Sequence, residues 1–280
     1  MNWIYLQNHL VPADEAKISV LDGGFLYGEG LFETVRAYGG RIFRLADHLK
    51  RLQRGSTRLG ITLPPLSDIE KALYDTLEKN NLTDAILRCT VTSGGREIFH
   101  AMPSGPPTLV IVPRPLDFGT LHETGVSAVI VPFQIYYPGN RPLKSTSFLH
   151  HVFAKRDAMA RGTFEGIFLS HDAQQKRYLA EGATSNLFWI RHGTIATPSL
   201  ETGILDGITR SAILGQACER SIPTTEGFFE VDNLYQADEA FLTNTGFELM
   251  PLVNVDGHCI GTGRPGPMTQ MLHRAFKEAV

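Results

Sequence analysis

The second half of the chain sets short β-rich runs between helix candidates at 149–161, 207–220 and 266–280; the runs are VSAVIVP (126–132), GIFLS (166–170), NLFWI (186–190) and EAFLTN (239–244). Strict strand–helix alternation would build a doubly wound parallel sheet, but here the order is irregular and no fixed-period repeat exists. The expected class is therefore a mixed α+β fold. The first third supports it: WIYL and LVP flank a turn at Gln7-Asn8, and LFETVRAY and RIFRL flank Gly39-Gly40, giving two hairpins. Leu45, Leu49, Leu52 and Leu59 then fall near helical spacing ahead of Gly60, and Ser67 with Glu70 reads as a capping box before Ile69, Leu73 and Leu77.

AILRCTVT (85–92) and TLVIVP (108–113) read as further strands, joined by a connection over 93–107 that is too long for a hairpin turn and is a candidate lid. The stretch 113–125 is rich in proline and glycine and has no periodicity. It divides the chain into a first domain over 1–114, a linker over 115–125 and a second domain over 126–280.

With 280 residues and 42% hydrophobic composition, core size does not limit two domains. The formal net charge of -3 provides no field to gather nucleic acid or an anionic membrane, so neither is an expected partner. Cys89, Cys218 and Cys259 are too scattered for a disulfide framework or a zinc set, which fits a reducing cytoplasm. The opening residues lack a signal-peptide pattern and no run approaches a membrane span, so the expectation is a soluble, unprocessed protein.

Several stretches carry candidate chemistry. In ETGILDGITR (201–210), Asp206 can cap a helix beginning at Gly207, so that the N–H groups of Ile208 and Thr209 point outward as an anion seat. Thr245, after the strand in FLTNTG, and Arg51, in HLKRL, could add a hydroxyl and a fixed guanidinium. Taken singly, these are a capped helix, a turn and a solvated arginine. Glu181 in LAEGATSNLFWI stands at a strand end, where a buried carboxylate could hold a pyridine nitrogen protonated or an exposed one could sit in a hairpin turn. Lys144, in NRPLKSTSFLHH, reads from position alone as a surface ammonium. His150 and His151 point about a hundred degrees apart on a helix with no third ligand nearby, so no metal site is expected there.

Taken together and in order, YGEGLFETVRAY, ADHLKRL, LKSTSFL, AEGATSNLF, TPSLETGILDGITR and ADEAFLTNT resemble the fold type IV pyridoxal phosphate enzymes, from Trp3 to the last helix. That group holds branched-chain aminotransferases, D-amino acid aminotransferases and 4-amino-4-deoxychorismate lyases. The resemblance implies a small N-terminal α/β domain, a larger C-terminal pseudo-barrel domain and a homodimer. It also implies that Lys144 binds pyridoxal 5'-phosphate covalently through an amine of lowered pKa. Glu181 would partner the pyridine nitrogen, and Arg51, Ile208, Thr209 and Thr245 would hold the phosphate. Substrate carboxylates need donors, for which Arg36, Arg88 and Arg96 are candidates, with Thr34 and Tyr27 also facing the pocket.

Within the group, LFETVRAYGGRIF and EGFFEVDNLYQADEAFLTN look closest to the lyase of the folate branch, which releases 4-aminobenzoate and pyruvate. Ser147-Phe148-Leu149 replaces the Asn-Tyr pair of branched-chain aminotransferases, and Arg96 and His100 depart from the spacing of the D-amino acid carboxylate trap. The expectation is thus a lyase, with a class IV aminotransferase acting on D-amino or branched-chain amino acids as the alternative. A cofactor-binding protein without turnover ranks third.

Overall fold

The computed structural model describes residues 3–96, 105–116, 118–134 and 142–280. Two compact units form, Met1–Asp117 with Leu143–Phe148 and Phe118–Pro142 with Leu149–Val280. The sequence places the whole of 126–280 in one domain. The structure instead sorts Leu143–Phe148, the segment that carries Lys144, with the first unit.

The first unit contains β1 (Trp3–Leu6), β2 (His9–Pro12), α1 (Gly23–Tyr27), β3 (Gly30–Tyr38), β4 (Arg41–Ile42), α2 (Leu45–Leu59), α3 (Leu66–Lys79), β5 (Ala85–Thr92) and β6 (Thr108–Arg114). Its sheet runs in the order β2-β1-β6-β5-β3-β4. Alternation puts Leu31, Val35 and Ala37 of β3 with Leu87, Cys89 and Val91 of β5 on one face, where they pack in one core with Leu45, Leu49 and Leu52 of α2 and Ile69, Leu73 and Leu77 of α3. Phe32, Thr34 and Arg36 alternate with those core residues along β3 and so belong to the other face.

Both expected hairpins form, and Gln7 and Asn8 take φ of 44° and 73° in the first turn. Gly60 ends α2 at φ 69°, where a side chain would be strained. The capping box does not form: α3 begins at Leu66 behind Pro65, which places Ser67 inside the first turn, with its hydroxyl 3.4 Å from Asp68. The candidate lid falls partly on 97–104, outside the described residues, as does His100.

The second unit contains α4 (Leu121–Thr124), β7 (Val126–Gln134), α5 (Leu149–Ala160), β8 (Glu165–His171), β9 (Arg177–Gly182), β10 (Asn186–Arg191), β11 (Thr194–Pro198), α6 (Ile208–Glu219), β12 (Thr224–Gly227), α7 (Val231–Tyr235), β13 (Glu239–Asn244), β14 (Glu248–Val255), β15 (His258–Cys259) and α8 (Pro267–Glu278). The stretch 113–125 is thus not uniformly irregular, since β6 runs to Arg114 and α4 occupies its last third.

Strand order here is β12-β11-β10-β13-β14-β7-β8-β9, and β9 also pairs with β10. The six strands from β10 through β13, β14, β7, β8 and β9 therefore close on themselves. The closing rung is a single antiparallel pair, Glu181 opposite Asn186. Ring closure leaves neither of those strand edges bare there. The core of this unit includes Ile167, Leu179, Leu187, Trp189, Leu242, Met250 and Leu252.

Candidate functional site

In the first unit, Lys144 is brought to β3 by backbone pairing. The Phe32 N–H donates to the Lys144 carbonyl at 2.9 Å and the Thr146 N–H to the Gly30 carbonyl at 2.9 Å. This sets Lys144 beside Phe32, and its Nζ stands 4.6 Å from the centre of the Phe32 ring. The Arg88 guanidinium lies 3.6 Å from the same ring centre. Thr34 is the cross-strand partner of Arg88. Lys144, Thr34 and Arg88 are therefore neighbours, and Arg36 follows two residues along on the same face, stacked 4.5 Å over Tyr38.

Arg96 is held elsewhere in this unit. Its guanidinium pairs with Glu29 and lies 5.2 Å from the centre of the half-exposed Tyr27 ring. Its buried Nε has no hydrogen-bond partner among the described residues.

Arg51 is anchored by a residue whose role the sequence does not disclose. Its Nε donates to Glu33 Oε1 and its Nη2 to Glu33 Oε2, both at 2.7 Å, while His48 Nδ1 lies 2.8 Å from Oε2. Burial acts to raise the Glu33 pKa, but the charge and hydrogen bonds of Arg51, with those of His48, outweigh it and draw the carboxyl down to about 2. Burial also holds His48 below the usual imidazole range, aided by the charges of Arg51 and Lys144 and opposed by Glu33. The only sequence signal for Glu33 is its place among core-facing positions of an apolar strand, where a carboxylate needs a cation.

In the second unit, Glu181 is 6% exposed and accepts from the Leu205 N–H at 3.0 Å and from Asn186 Nδ2 at 3.2 Å. The same Nδ2 donates to the Leu205 carbonyl at 2.9 Å. Asn186 thus ties the ring-closing acid to the segment that enters α6. The cap position of that helix belongs to Gly207 rather than to Asp206. Ile208 and Thr209 are the first residues of the helix, at the end where its dipole favours an anion. Gly207 leaves room for the Asn186 amide, because a Cβ there would fall 2.0 Å from Asn186 Oδ1.

The turn between β9 and β10 is wound on Glu165, a fully buried acid that sequence position does not single out. Its carboxylate accepts from the Thr184 hydroxyl at 2.7 Å, the Thr184 N–H at 3.2 Å and the Ser185 hydroxyl at 3.1 Å. Asn244 Nδ2 donates to the Thr184 carbonyl at 3.1 Å, which sets the turn holding Thr245 beside it. Thr243, opposite Asn186 in the strand register, has a buried hydroxyl without a partner among the described residues.

These features fit a phosphorylated pyridine cofactor. A buried carboxylate that accepts from an amide side chain and a backbone N–H suits a cationic ring nitrogen, and a helix start behind a glycine, with a threonine in its first turn, suits a phosphate.

Fold and site together define a class of protein: pyridoxal phosphate enzymes of fold type IV. The Amino-transferase class IV family profile matches residues 30–255, and the chain belongs to that family. It is 34% identical to a putative branched-chain-amino-acid aminotransferase of Methanocaldococcus jannaschii, over 98% of this chain and 95% of that one. It is 30% identical to a D-alanine aminotransferase of Staphylococcus aureus, over 100% of this chain and 98% of that one. Among solved structures, Escherichia coli branched-chain amino acid aminotransferase superposes with a TM-score of 0.92 at 30% identity, covering 99% of this chain and 94% of that one. The family is pyridoxal phosphate-dependent; another branched-chain amino acid aminotransferase, solved with pyridoxamine 5'-phosphate, matches at a TM-score of 0.91 and 27% identity, over 99% of this chain and 93% of that one. A putative 4-amino-4-deoxychorismate lyase of Legionella pneumophila shares the fold, with a TM-score of 0.86 at 22% identity, over 96% of this chain and 97% of that one. No helix among the described residues is long and apolar enough to cross a membrane.

Proposed function

We propose that the protein is an aminotransferase that moves an amino group from a D-amino or branched-chain amino acid to a 2-oxo acid. The observation that carries this reading is the end-to-end match, at 30–34% identity, to relatives named as aminotransferases. The lyase reading favoured by short motifs gives way, because behind it stands a likeness of fold at 22% identity.

Pyridoxal phosphate, when bound, supplies a sink for the electrons freed at the carbon that bears the amino group. Lys144 Nζ would serve as the general base for the proton on the carbon that bears the amino group. Glu181 would keep a proton on the ring nitrogen, and Arg51, Ile208, Thr209 and Thr245 are the residues that would hold the phosphate. Arg88 and Arg36, with Thr34 between them on one sheet face, hold the substrate carboxylate, and Arg96 with Tyr27 offers a second such place. The protein acts on small amine substrates in the cytoplasm as a homodimer.

The test mixes purified holoprotein separately with D- and L-amino acids and with aminodeoxychorismate, and follows the cofactor spectrum and pyruvate. Conversion of the cofactor to its amine form, reversed by a 2-oxo acid, is the expected result. Release of 4-aminobenzoate and pyruvate with no response to amino acids would return the assignment to the lyase.

A further inference from the structure

We propose that the second unit carries a transition-metal site formed by His122, Glu248 and His273, with zinc as the natural fit. The three come from α4, the start of β14 and α8, and one ring nitrogen of each histidine and a Glu248 oxygen lie within 4.8 Å of one another. Two imidazoles and one carboxylate are a ligand set suited to zinc and related divalent ions.

Three features of the geometry point to an ion. His122 Nε2 lies 2.8 Å from the Phe247 carbonyl, which only accepts, so Nε2 carries the hydrogen and the Nδ1 lone pair is left for a ligand bond. A second ring N–H donated to a carbonyl is the usual orienting bond of a metal-bound histidine. The His122 and His273 ring centres are 4.6 Å apart. The ring planes are only 24° from parallel, and two imidazoles bound tetrahedrally to one ion at about 2.1 Å would place their centres roughly 5.3 Å apart, so ligation asks the stacked rings to turn and part by less than about 1 Å. Glu248, buried at 2% exposure, adopts φ 63°, a left-handed conformation costly for a side chain, and so turns its carboxylate toward His273 Nε2 at 2.6 Å. An arriving ion takes the Nε2 lone pair of His273 while Nδ1 keeps its hydrogen, and the proton that Nε2 shared with Glu248 leaves to solvent past the partly exposed His273 side chain.

The holoprotein, stripped with a chelator and held in a non-coordinating buffer, is titrated with Zn2+ and with Co2+ by calorimetry and visible absorption. The expected result is one ion per chain, with d–d bands for Co2+ and a higher thermal midpoint with Zn2+. His122→Gln and His273→Gln should each weaken binding at least about tenfold, while His150→Gln should leave it unchanged. Absence of saturable binding overturns the proposal, and so does an ion retained equally by both variants. Should a variant fail to fold, nitrogen-15 histidine spectra of the unaltered protein read the site directly. Zinc must move the ring signals of two of the ten histidines, and ten unchanged histidines across the titration overturn the proposal.

Discussion

Arg51 grips Glu33 through both carboxylate oxygens, each at 2.7 Å, with the arginine side chain 10% exposed and the glutamate 3%. A paired, buried carboxylate of this kind links stability to pH. The folded-state pKa of about 2 lies below the ordinary value of 4.5, so the stabilisation is fully present above about 4.5 and is lost as pH falls toward 2. The depressed His48 adds to the acid loss, because the unfolded chain takes up its proton first as pH drops below 6.5. Glu33→Ala should cost roughly 3–5 kcal/mol in urea unfolding at pH 7. Glu33→Gln should flatten the stability profile between pH 5 and 2.5. A profile as steep in Glu33→Gln as in the parent would show that the acid limb belongs to other groups.

The thiols should divide by environment. Burial raises Cys89 to about 12, with the charge of Glu33 adding to it, whereas Cys218 and Cys259 are exposed. A disulfide reagent at pH 8 should therefore titrate two thiols quickly in the folded protein and the third only in denaturant. Three fast thiols would mean that the sheet core around Cys89 opens on the timescale of the reaction.

Asn186 offers a sharper test of the second unit. Its amide touches Glu181 and the Leu205 carbonyl, and its Oδ1 fills the space a Cβ at Gly207 would take. Gly207→Ala should displace that amide, loosen both the acid and the helix start, and weaken cofactor affinity about tenfold or more, read by absorbance titration. Asn186→Ala should weaken binding in the same direction through loss of the bridge alone. Affinity equal to the parent in both variants would remove this bridge from cofactor binding.

Much of the fold was legible because local rules and tertiary demands agree. The Gln7-Asn8 and Gly39-Gly40 turns, and the helices now seen at Leu149–Ala160, Ile208–Glu219 and Pro267–Glu278, follow from turn chemistry and periodicity. Caps were less legible: Asp206 and Ser67 are good capping residues, yet Gly207 and Pro65 take the cap positions. What the sequence hides is partnership across distance. Glu165 meets Thr184 and Ser185 from another strand, and Glu33 meets Arg51 from a strand to a helix. Nothing in the order of residues reveals that Leu143–Phe148 belongs with the first unit, since that depends on pairing with β3 more than a hundred residues earlier.

That pairing makes Lys144 a clean target. Phe32 bonds to the Lys144 backbone carbonyl, so Lys144→Ala keeps the hydrogen bond that holds the segment while it removes the amine and its contact with the Phe32 ring. The variant should fold with a thermal midpoint within a few degrees of the parent. Its turnover should fall about 10³-fold or more, because one group would lose its roles as both covalent anchor and general base. Borohydride treatment of the parent holoprotein should place a stable cofactor mark on the peptide containing Lys144, and small amines added to Lys144→Ala should restore part of the rate. Full turnover in the variant, or a mark on a different lysine, would move the chemistry away from this residue while leaving the family assignment standing.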